Sequence, residues 1–126
     1  MNEKAYFKFN NEVKLTFDYY YKTSIEKYIK RATTRIDKQR NIAVGDVIEC
    51  NYTNNAESFY IQITDINKFR FCDLKNYNAL LEGYVDEGLL KQVLKSFYPE
   101  VTCDTILVQY SFNYLGKLNK GGDIIG

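Results

Sequence analysis

Histidine and tryptophan are absent from this chain, and among its 126 residues proline occurs once and cysteine three times. Without histidine, neither a Ser-His-Asp nor a Cys-His nucleophile system can be built, so any proton transfer must use Lys, Glu, Asp or Tyr. Cys50, Cys72 and Cys103 are far apart, and none belongs to a CxxC pair. That pattern predicts neither a disulfide nor a zinc site, and nothing in the sequence asks for a metal or another cofactor. No apolar run approaches the roughly eighteen residues that span a bilayer. The opening segment MNEKAYFKF also lacks the apolar core of a signal peptide, so a cytoplasmic protein without membrane contact is expected. An excess of either charge is lacking too: the formal net charge is +1, which argues against a surface that clings to nucleic acid as a whole.

What is present suits one folded unit. Hydrophobic residues make up 45% and charged residues 26%, the balance of a globular protein, and 126 residues can enclose one ordinary core. Twelve Tyr and eight Phe favour strands. Lys22, Lys27, Lys30, Arg31, Arg35, Lys38 and Arg40 face only Glu26 and Asp37 within their stretch, a basic segment on an otherwise slightly acidic body. Such a segment suits a local anion contact, although solvated helix and loop charges are the commoner reason for one.

Periodicity orders the elements. Val13, Leu15, Phe17 and Tyr19 alternate with polar neighbours as in a half-buried strand, and Asn10-Asn11 before them predicts a turn back from a first strand at Ala5–Phe9. Thr23-Ser24-Ile25-Glu26 has the form of a capping box, and Ile25, Tyr28, Ile29 and Ala32 keep helical spacing, so a short helix to about Ala32 is expected. VGDVIECNY reads as a turn entering a strand, Asn54-Asn55 as the next turn, and the alternation around Tyr60–Asp65 as a partner strand continuing towards Phe71. Asp73 is placed to cap a helix from Leu74 to about Glu82, with Gly83 where helices stop. Asp86 caps another, whose Leu89, Leu90, Val93, Leu94 and Phe97 form a core stripe ahead of Pro99. Thr105–Phe112 is the last predicted strand. The order implies an α+β fold, a single domain over residues 1–115 with a flexible tail over 116–126.

Five segments taken in order, IKRATTRI, VGDVIEC, FCDLKNYNALLEGY, LLKQVLKSFYP and ILVQYSF, resemble the ASCH family. The resemblance covers roughly residues 22–112 and implies a PUA-like mixed β-barrel flanked by short helices. Some members of that family are small amidohydrolases that deacetylate N4-acetylcytidine, and others bind or cut RNA. In the amidohydrolase members a catalytic Lys is followed three residues on by Thr and two further by Arg, places held here by Lys30, Thr33 and Arg35. The catalytic Glu corresponds to Glu82. The family's Gly-Arg/Lys-Lys-Thr entry to this motif is replaced by Tyr28-Ile29-Lys30-Arg31.

Amide hydrolysis needs a nucleophile, a base and a route for water in the second half-reaction. The resemblance implies that Lys30, Thr33 and Glu82 are catalytic, with Lys30 read as base and Thr33 as nucleophile; Arg31 and Arg35 as nearby cations, and Tyr84 and Tyr98 as rings able to stack on a base, are the expected substrate contacts. An anion near the C-terminal end of a helix is disfavoured by the dipole, so Glu82 is not there for helix stability. The plainer alternatives are a solvated Lys30 at a helix end, a surface ion pair for Glu82, and packing for each tyrosine. The reading is thus a small hydrolase acting on a modified nucleoside. The alternatives are an RNA- or modified-base-binding module without catalysis, or an ASCH-type ribonuclease. Its partner is a nucleoside or RNA, and the sequence does not speak to oligomeric state.

Overall fold

A computed structural model describes residues 7–55, 57–118 and 124–125. Among the described residues, six strands and three α-helices follow in the order β1 (Lys8–Phe17), α1 (Lys22–Glu26), β2 (Ala32–Ile36), β3 (Asp46–Tyr52), β4 (Ser58–Arg70), α2 (Asn76–Leu81), α3 (Glu87–Phe97), β5 (Ile106–Leu118) and β6 (Ile124–Ile125). Strands pair in the order β1-β3-β4-β5-β2, with β6 on the far end of β5. The β1–β3 ladder is parallel and the others antiparallel. The fold is α+β, as expected.

Two long strands make this arrangement possible. β4 pairs β3 through Ser58–Gln62 and β5 through most of its length, with register shifts at Tyr60/Ile61 and Ile63/Asp65 that bend it. One face of the sheet encloses Leu15, Phe17, Ile48, Tyr52, Phe59, Ile61, Val108, Tyr110 and Phe112. Tyr52 stacks on Phe59 at 4.6 Å between ring centres. The other face carries α2 and α3, whose Ala79, Leu90 and Leu94 pack with Phe71, Leu74 and Leu107. The predicted barrel is not closed: among the described residues no backbone pairing joins the outer strands β1 and β2. The Arg35 side chain crosses the gap instead and donates to the Thr16 carbonyl at 2.8 Å.

Several predicted elements come out differently. No hairpin turns at Asn10-Asn11; β1 runs on through that point with an irregularity between Asn10 and Lys14, because both halves pair the same strand, β3. Of the first strand expected there, Ala5 and Tyr6 lie outside the described residues. α1 stops at Glu26 instead of near Ala32, since Tyr28 adopts a left-handed φ of 60° and Ala32 already belongs to β2. Nor does a capping box open α1, which is entered from a 3-10 turn at Tyr19–Tyr21. Asp73 caps no helix either. It pairs with Arg70 at 2.9 Å, and Asn78 caps α2 by accepting from the Lys75 amide. Cys72 and Cys103 are joined in a disulfide, against the expectation from their spacing. Residues distant in sequence meet because Phe71–Asp73 lies against the segment entering β5, with the Cys72 amide bonded to the Cys103 carbonyl at 3.1 Å. Finally, β5 continues past Phe112 to Leu118 and pairs β6 there, while residues 119–123 and 126 of the expected tail lie outside the described residues.

Candidate active site

The open seam between β1 and β2 holds a cavity of about 120 Å³. Its polar side is Lys30, Thr33, Thr34, Arg35 and Glu82, and its apolar side is Leu90, Val93, Leu94 and Phe97 from α3, with Tyr98 beyond them. The α3 stripe predicted as core therefore serves twice: Leu90 and Leu94 are buried, and the same helix walls the cavity, with Phe97 exposed at its edge.

Local backbone bonds bring Lys30 and Glu82 together. The Ser24 carbonyl at the end of α1 accepts from both the Ile29 and Lys30 amides, at 2.9 and 3.0 Å, which turns the chain and fixes Lys30. The Arg31 amide then donates to the Leu81 carbonyl at 2.7 Å, tying this loop to the last turn of α2. Glu82 is the residue just past that helix, and Gly83 follows with φ +87° beneath Ile29. A Cβ on Gly83 would stand 3.3 Å from Ile29 Cγ2 in a conformation that side chains avoid, so glycine is needed where the two segments meet.

At their meeting point Lys30 Nζ donates to Glu82 Oε1 at 2.7 Å, and both side chains are buried. Thr34 Oγ1 donates to Glu82 Oε2 at 2.5 Å. The Lys30 ammonium also lies 4.7 Å from the centre of the Tyr21 ring. Tyr21 and Tyr84 share a hydrogen bond between their hydroxyls at 2.6 Å, and burial raises the pKa of both phenols. Arg35 lies over the Phe17 ring at 5.1 Å and donates from Nε to Thr33 Oγ1 at 3.3 Å. Burial lowers the pKa of its guanidinium, although the group remains a cation at any ordinary pH.

Of the residues singled out in the sequence, Lys30, Thr33, Arg35, Glu82 and Tyr98 border this one cavity. Tyr84 stands behind it and reaches it through Tyr21. Arg31 does not border it: its side chain is exposed, and its contribution is the backbone bond to Leu81. Among the described residues no hydrogen bond joins Thr33 to Lys30; Glu82 is bonded instead by the neighbouring hydroxyl, Thr34. Sequence reasoning missed Tyr21, Asn78 and Gln109. The strand alternation around Thr33-Thr34 was the one available sign that the second threonine faces a different partner from the first. Among the described residues no group of three or more His, Cys, Asp or Glu side chains could hold a metal ion, and no helix is long and apolar enough to cross a membrane.

Solved structures share this architecture. The ASCH domain from Lactobacillus crispatus superposes with a TM-score of 0.69 at 16% identity, covering 88% of this chain and 82% of that one. A single-residue mutant of the ASCH protein from Zymomonas mobilis gives a TM-score of 0.59 at 11% identity, over 86% of this chain and 74% of that one. A Pyrococcus furiosus protein solved by NMR gives 0.50 at 19% identity, over 81% and 96%. No sequence-family model and no curated protein sequence matches the chain. The chain has the fold of an ASCH domain, with its sheet open on one side among the described residues.

Proposed function

We propose that this protein is a small hydrolase that cleaves the amide of an acylated pyrimidine nucleoside, with N4-acetylcytidine as the substrate to test. The observation that carries the reading is the buried Lys30–Glu82 pair, set in a cavity that Thr33 and Arg35 also border. A buried ion pair is costly to build and is weak evidence for stability, so its place in a cleft supports a chemical role. The cavity is smaller than the roughly 300–1,000 Å³ clefts that hold drug-sized ligands, which suits a single planar head group with its sugar outside.

In this reading Lys30 acts from its neutral amine form: it takes the hydroxyl proton as Thr33 Oγ1 attacks the acetyl carbonyl carbon, and passes that proton to the departing N4 nitrogen as the C–N bond breaks. Cytidine leaves, and water then hydrolyses the acetyl ester on Thr33. Arg35, already bonded to Thr33 Oγ1, is placed to stabilise the oxyanion. Val93, Leu94 and Phe97 give the acyl methyl an apolar wall.

One observation favours a second reading. Glu82 has both oxygens occupied and Thr33 is not bonded to Lys30, the arrangement of a site that holds a modified base or RNA without breaking a bond. Chromatography of N4-acetylcytidine incubated with the protein and with Lys30→Ala decides between them. Cytidine from the parent and none from Lys30→Ala is the expected result. Intact substrate with both proteins contradicts the hydrolase and moves the weight to binding, and cleavage of an RNA by the parent would indicate a ribonuclease.

A further inference from the structure

Behind β2 lie two buried amides that the chemistry above does not use. Asn78 and Gln109 are 1% and 2% exposed, and each polar atom of both side chains has a partner. Their bonds can be assigned in only one way. The Lys75 amide donates to Asn78 Oδ1 at 2.8 Å, so Asn78 Nδ2 must be the donor that meets Gln109 Oε1 at 2.9 Å. Gln109 Nε2 therefore supplies both remaining protons, to the Asn78 carbonyl at 2.9 Å and to Thr34 Oγ1 at 3.1 Å. With a lone pair of Thr34 facing that donor, its single proton is left for Glu82 Oε2 at 2.5 Å. Glu82 Oε1 takes Lys30 at 2.7 Å. Direction is thus imposed from a backbone amide at the start of α2 to the ammonium in the cavity.

We propose that Asn78, Gln109 and Thr34 are positioning residues. They set the direction of a hydrogen-bond chain that holds Glu82 as an acceptor on both oxygens and thereby aims Lys30 into the cavity. A carboxylate receiving a donor on each oxygen has no proton to give, so Glu82 anchors Lys30, and Lys30 is the group that moves protons. An ammonium has three donors. One is bound by Glu82 and the Tyr21 ring stands 4.7 Å from the nitrogen, which leaves a donor for the cavity that Lys30 borders. Both hydroxyls of β2 border the cavity, but their bonds divide them: Thr33 Oγ1 accepts only from Arg35 among the described residues, whereas Thr34 Oγ1 is held between Gln109 and Glu82.

The activity arm of the test rests on the hydrolase reading, and a spectroscopic arm does not. Thr34→Val keeps the shape and removes the hydroxyl, whereas Thr34→Ser keeps the donor. The spectroscopic readout is the Lys30 ammonium signal in a ¹H-¹⁵N spectrum, assigned by its loss in Lys30→Arg. A buried, bonded ammonium exchanges slowly enough to be seen. The signal is expected in the parent and in Thr34→Ser and lost in Thr34→Val, where kcat for N4-acetylcytidine falls about tenfold or more with KM little changed. A Thr34→Val protein that keeps the parent's ammonium signal overturns the positioning role whatever the substrate. Loss of the signal in Thr34→Val while the parent turns over nothing sustains the positioning role and contradicts only the hydrolase. Should Thr34→Val fail to fold, Gln109→Met removes the amide that orients the hydroxyl, and the same readouts decide.

Discussion

At the scale of single residues, the Lys30–Glu82 pair dominates because both charges are taken out of water. Removing one partner leaves the other buried and uncompensated, which costs about 3–5 kcal/mol, whereas replacing both with apolar side chains is often neutral. Lys30→Met is therefore expected to lower stability by about that amount, and Lys30→Met combined with Glu82→Leu to recover most of it, as measured by urea unfolding. A loss in the double variant equal to the sum of the two single losses would mean that the pair is not coupled. Lys30, Thr33 and Glu82 could be named only through the resemblance of their segments to the ASCH family, and the structure brings all three to the border of one cavity. Thr34 could not be distinguished in that way. Its bonds to Glu82 and to Gln109, its partner across the ladder, are what set it apart, and they appear only in the folded chain. Tyr21 and Asn78 carried no sequence signal, since one aromatic among twelve tyrosines and one amide in an Asn-rich chain look like their neighbours.

Elements behave as their ends dictate. α3 was readable because Asp86 accepts from the Leu89 amide at 2.9 Å and the apolar stripe has helical period. α1 was overestimated because Tyr28, Ile29 and Ala32 continue the period of Ile25 without being helical; Tyr28 and Ile29 are more than half exposed. The disulfide between Cys72 and Cys103 was unreadable, since their sequence separation of 31 says nothing of the backbone contact that sets their Cα atoms 4.8 Å apart.

The turn that opens β3 was readable, and Asp46 shows why aspartate stands there. Its Oδ2 accepts from the Ala43 amide and from Asn10, each at 2.9 Å, while Oδ1 faces Lys8 Nζ at 3.2 Å. Burial pushes the carboxyl pKa up, but these donors outweigh it and hold the pKa below the ordinary carboxylate value. A carboxyl with a depressed folded-state pKa adds stability above its unfolded pKa of about 3.9, and that stability is lost as pH falls through the folded value. Asp46→Asn should therefore lower the urea midpoint at pH 7 and flatten its decline below about pH 4. An unchanged acid limb would show that Asp46 is not a source of it.

Across the whole molecule, the decisive feature is the side of the sheet that does not close. Element order and class were legible because strand and helix periods alternate clearly along the chain. Openness was not, because it depends on two edge strands, β1 and β2, which among the described residues share no ladder and are bridged by the Arg35 side chain. That gap places the Thr33–Arg35 edge opposite the α3 wall and makes the cavity. The most direct measurement of this account is a backbone amide chemical-shift titration with N4-acetylcytidine. Shifts confined to Thr16–Tyr21, Lys30–Arg35, Glu82 and Val93–Tyr98 are expected. Shifts centred instead on Lys8–Glu12 and Asn41–Asp46, or none at saturating ligand, would contradict the placement of the site.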